Sequence, residues 1–76
     1  MNELGALAKE IFTLLSMGMT AHVVVKEKFY KINFPQGKNA KKAFLIKSLE
    51  NKLKTLVPMA RQEGIRRQIH ALLDEL

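Results

Sequence analysis

A small α+β domain, with a short antiparallel hairpin packed among helices in the order α-β-β-α-α, is the fold class this sequence predicts. Three observations point to it. Apolar residues recur at three- and four-residue steps over the first eighteen positions, a β-branched and aromatic stretch fills residues 22–34, and helical spacing resumes from residue 45 onward. The chain has 76 residues, 47% of them hydrophobic, with no cysteine and no tryptophan. That makes one domain, 1–76, near the lower limit for an apolar core that no disulfide or thiolate metal site can staple. Good packing, a partner or self-association must hold it.

The elements follow in order. Leu4, Leu7, Ala8, Ile11, Leu14, Leu15 and Met17 mark a first helix with one buried face, and Gly18 ends it. Phe12 and three of the four methionines, Met1, Met17 and Met19, lie on or beside this helix. In residues 22–34, Lys28, Tyr30, Ile32 and Phe34 alternate with Phe29, Lys31 and Asn33, which is the period of a half-buried strand. One long strand fits, and so does a hairpin hinged near Lys26-Glu27-Lys28. The hairpin is preferred, although that tripeptide has no Gly or Asn for a tight turn.

Pro35-Gln36-Gly37-Lys38 reads as a loop, and Asn39 stands where the N-cap of a second helix belongs. Leu45, Ile46, Leu49, Leu53, Leu56 and Val57 form its apolar stripe, with Lys47 and Lys54 opposite and Lys41 and Lys52 at the flanks. Pro58 interrupts it by pushing Val57 away from helical geometry. Ile65, Ile69, Leu72, Leu73 and Leu76 share a face of the last helix, which begins either at Pro58 or after Gly64.

Thirteen Lys and Arg against seven Asp and Glu give a net charge of +6. The excess is concentrated in residues 26–67, where twelve basic residues face only Glu27, Glu50 and Glu63. A field of that sign attracts phosphate backbones, anionic surfaces or acidic proteins. The apolar run at 11–19 follows an acidic start and is too short for a membrane helix, so the expectation is a soluble, cytoplasmic chain without a membrane partner. Catalysis is not expected. There is no Cys, a single Asp, and no Glu three or four residues from either His22 or His70, and Walker, dinucleotide and zinc-finger patterns are missing. No metal or cofactor is expected either.

The constellation that suggests function is Gly37-Lys38-Asn39-Ala40-Lys41-Lys42. With Asn39 as cap, Lys41 and Lys42 fall in the first helical turn, where the helix dipole disfavours cations, so an anion should occupy the site. The same lysines would also serve as a solvated basic surface. Phe44, one turn on, either stacks a base or packs under the hairpin. Lys38, Asn39, Lys41 and Lys42, with Lys52, Arg66 and Arg67, are the candidate contacts to DNA or RNA. Arg66 and Arg67 oppose the dipole of the last helix, and so offer a second phosphate contact, only if that helix starts after Gly64. Residues 44–73 also admit a helix-turn-helix reading.

Gly37, Lys41, Lys42 and Ala43, in an α-β-β-α order, resemble the double-stranded-RNA-binding domain, in which a glycine-containing loop and a Lys-Lys pair open the last helix. The resemblance implies a grip on phosphates across a groove. It departs from that family in having at most two strands where the family has three, and in lacking the family's histidine loop.

The expected function is therefore backbone contact to nucleic acid with little sequence preference. The competing expectation is a small adaptor or inhibitor of the mobile-element type that docks an acidic or nucleic-acid-binding protein. Ile65, Ile69, Leu72 and Leu76 follow a four-three-four spacing that suits a two-helix seam and a homodimer.

Overall fold

A computed structural model describes residues 2–76, so Met1 lies outside the described part. Asn2 opens the first helix, α1 (Glu3–Ser16): its side-chain oxygen accepts the Leu4 N–H at 2.9 Å, and Glu3 places a negative charge in the first turn. At the far end Gly18 adopts φ 74°, and the N–H groups of Gly18 and Met19 close onto the carbonyls of Leu15 and Leu14. That pairing is a Schellman stop, and a residue with a Cβ would be strained at Gly18. The ending expected from sequence is thus met.

The stretch read as a hairpin is instead a helix, α2 (His22–Lys31), and no strand occurs among the described residues. The fold class is all-α, not α+β. Val25 and Phe29 are buried one turn apart, with Ala21 before them and Ile32 after them half-buried on the same helical stripe. The period-two alternation concealed this stripe. Lys26-Glu27-Lys28, which lacks turn residues, forms the middle of a helix. With no strands, the α-β-β-α order behind the resemblance to the double-stranded-RNA-binding domain is absent from the described residues.

The loop after α2 turns at Pro35 and Gln36 as expected, with the Gly37 N–H closing onto the Phe34 carbonyl at 3.0 Å, but Lys38, read as its last residue, already belongs to the next helix. Gly37 then caps α3 (Lys38–Leu56) with φ 99° and ψ 170°, a combination that favours glycine. The cap is therefore Gly37 and not Asn39, which lies inside the first turn with no capping bond from its side chain. Val57 is extended ahead of Pro58, which caps α4 (Met59–Asp74). Of the two starts the sequence left open, the one at Pro58 is observed, and α4 runs straight through Gly64.

α3 is the hub. It packs against α1 on one side and α4 on the other, while α2 lies mainly on α1. Leu45 and Leu49 of α3 interlock with Leu4, Leu7, Ile11 and Leu15 of α1, Val25 and Phe29 of α2, and Ile69, Leu72 and Leu73 of α4 in one core. Aliphatic interlocking of this kind supplies the stability that staples give other small domains. Among the described residues no helix is long and apolar enough to cross a membrane.

Candidate nucleic-acid interface

Lys41 has only 6% of its surface exposed, and its ammonium donates to the carbonyls of Phe29 at 2.5 Å and Ile32 at 2.9 Å. It also lies 4.1 Å from the centre of the Phe29 ring. These carbonyls end α2, where the helix dipole is negative. The anion that the charge–dipole mismatch at the start of α3 called for is therefore internal: the C-terminus of the preceding helix. Lys41 fastens α2 to α3 and does not face solvent.

The neighbouring lysines differ. Lys38 is exposed and holds its ammonium 5.4 Å from the centre of the Tyr30 ring. Tyr30 is half-exposed, and its hydroxyl donates to the Leu76 carbonyl. The Lys38 ammonium holds the Tyr30 phenol below its usual value of 10.0 against desolvation, the next largest effect, with smaller help from the charges of Lys26 and Lys42. Lys38 over the ring, Lys26 beside it and the charge of Lys42 thus all act on one aromatic side chain. None of these lysines has an ion-pair partner among the described residues. Beside the ring, Val23, Lys26, Glu27 and Lys31 complete an open hollow of about 480 Å³.

The remaining predicted contacts lie elsewhere. Lys52 sits half-buried fourteen residues along α3 from Lys38, about 21 Å at 1.5 Å per residue. Arg66 forks onto Glu50 of α3 at 2.6 and 3.2 Å and reaches Glu63 at 3.3 Å, while Arg67 lies 3.8 Å from Glu63. The guanidinium holds the Glu50 carboxyl below its ordinary range. Because α4 begins at Met59, Arg66 and Arg67 stand well inside it and do not oppose its dipole at the start. Asn39 is exposed next to Lys38. Phe44 is part-exposed and tilts against Phe34 at 6.4 Å, packing beside the α2–α3 loop where a hairpin had been expected.

The residues read as a dimer seam are already covered within one chain. Ile69, Leu72 and Leu76 are buried, and Ile65 packs half-buried against the core. Exposed apolar side chains occur instead at Met17, Met19, Val23 and Val24 around the α1–α2 turn and at Leu56 and Met59 around the α3–α4 corner, so Met17 and Leu56 stand outside the buried faces on which their spacing placed them.

Sequence reasoning missed Tyr30, Lys26 and Lys31 as site residues because it placed them on a hairpin. The spacing of Ala21, Val25, Phe29 and Ile32 could have found them, since it puts Val23, Lys26 and Tyr30 on the outer side of one helix. No group of His, Asp or Glu among the described residues is arranged to hold a metal ion. No protein-family profile, curated protein or solved structure matches this chain.

Proposed function

We propose that this chain binds nucleic acid through the phosphate backbone, with little sequence preference, using the lysines around Tyr30. The observation that carries the reading is the Lys38 ammonium held over the exposed Tyr30 ring, with Lys26 and Lys31 in the wall of the adjoining hollow and none of the three in an ion pair among the described residues. Like charges held together are costly until an anion joins them. Lys31, in the wall of the adjoining hollow, extends the cationic surface. Lysine ammonium groups recognise phosphate as point charges and carry no base information, which makes the contact indifferent to sequence. A cytoplasmic location belongs to the same reading.

A second reading, an adaptor that docks another protein, is favoured by one specific observation: Met17, Met19 and Val23 are each more than half exposed around the α1–α2 turn. Fluorescence anisotropy with labelled single- and double-stranded probes at low salt separates the two. Backbone binding through four lysines gives a log-log salt slope of about −3 to −4. Absence of binding to every probe would transfer the proposal to the adaptor.

A further inference from the structure

We infer that the ligand of this site is single-stranded nucleic acid, with Tyr30 as a stacking platform for an unpaired base; the inference rests on the phosphate-binding reading above. The Tyr30 ring is held in place before any ligand arrives. Phe29 meets it edge-on at 5.4 Å, and its hydroxyl is tied to the Leu76 carbonyl. An aromatic that is half-exposed and already fixed loses little freedom on stacking. Lys38 stands over the ring on a flexible stem. A base sliding onto that ring displaces the ammonium toward the phosphate of the same nucleotide, so one nucleotide satisfies both groups. The open hollow beside the ring gives an unstacked base room, and Glu27 is the one carboxylate in its lining. A duplex, with its bases turned inward, would engage the lysines and leave the ring without a partner. Exposed rings set among cations are the means by which single strands are held without sequence readout.

The chain has one tyrosine and no tryptophan, so its intrinsic fluorescence reports on Tyr30. Titration of the intact chain with oligothymidylate should quench that emission to saturation, whereas inorganic polyphosphate at equal phosphate concentration should not. Affinities are then compared for Tyr30→Phe and Tyr30→Leu, both of which lack the hydroxyl, after circular dichroism melts verify that each is folded. The leucine variant should bind oligothymidylate roughly five- to a hundredfold more weakly than the phenylalanine variant, the range expected when one base stack is removed. Affinity for a DNA hairpin duplex should be equal for the two. Leucine weakening both probes alike, or neither, overturns the stacking role while leaving the phosphate grip in place. If the wild-type chain binds no probe, both readings fall.

Discussion

The corner between α2 and α3 and the corner between α3 and α4 are each fastened by a basic side chain, and the two fastenings leave different amounts of charge uncancelled. At the second corner Arg66 meets whole carboxylates on Glu50 and Glu63, and the Gln62 side-chain amide donates to the Val57 carbonyl at 3.0 Å. The Arg66 charge is largely cancelled there. At the first corner Lys41 meets only the partial charge of two backbone carbonyls, while Lys26, Lys38 and Lys42 lie nearby without an ion-pair partner among the described residues. A basic residue's part in this protein is set by what faces it across the helix boundary. Its place along its own helix decides much less.

The largest effect should come from removing the internal cation. Lys41→Met keeps the aliphatic stem but leaves the Phe29 and Ile32 carbonyls without their donor, which should cost about 2–3 kcal/mol, since bonds to charged groups are among the stronger ones. In a domain this size that lowers Tm by roughly 10 °C or more, as followed by circular dichroism. An unchanged Tm would erase the distinction between Lys41 and its exposed neighbours.

Replacing Lys26, Lys38 and Lys42 together by Gln addresses the other half of the comparison. Folding should be preserved, and the salt slope of nucleic-acid binding should shrink by about one unit for each phosphate that is no longer neutralised. The matched variant, with Gln at Lys47, Lys52 and Lys54, removes the same charge from the rest of α3 and should shift the slope less. Equal shifts would mean that the corner is no site and that binding follows total charge.

Smaller changes are expected at the paired corner. Glu50→Gln should lower Tm by a few degrees near neutral pH, scaled for a domain of this size. Because Arg66 depresses the folded-state pKa of Glu50, the stabilisation is present above the usual carboxyl value of 4.5 and disappears as pH falls through the lower folded value. The wild-type and variant melting curves should accordingly converge in acid. A difference that persisted at low pH would assign the effect to packing.

The mildest expected change is spectroscopic. Absorbance of the Tyr30 phenolate should titrate with a midpoint below 10.0, and Lys38→Gln should move that midpoint upward. A midpoint indifferent to Lys38 and to added salt would separate the ring from the lysines assigned to it.

Much of this architecture was legible from residue spacing. The first helix and its glycine stop, the Pro35 turn, the Leu45–Leu49–Leu53 stripe and the break at Pro58 all rest on local chemistry, which a sequence displays directly. α2 was not legible because Val23, Val24 and Val25 favour strands locally, while the burial of Val25 and Phe29 against α1 and α3 is a tertiary effect. The candidate site inherited that error. Lys38 and Lys42 were visible as a basic motif, yet Tyr30 and Lys26 join them only once α2 is helical. Lys41 was singled out for the right electrostatic anomaly, and the anion that resolves it belongs to a different helix.

The burial of Lys41 also turns one amine into a clock. Acylating reagents modify exterior lysines at rates set by solvent access, whereas Lys41 reacts only during the intervals when α2 lifts from α3. The lag between its labelling and that of Lys38, three residues earlier, therefore measures how often this corner opens while the rest of the domain stays folded.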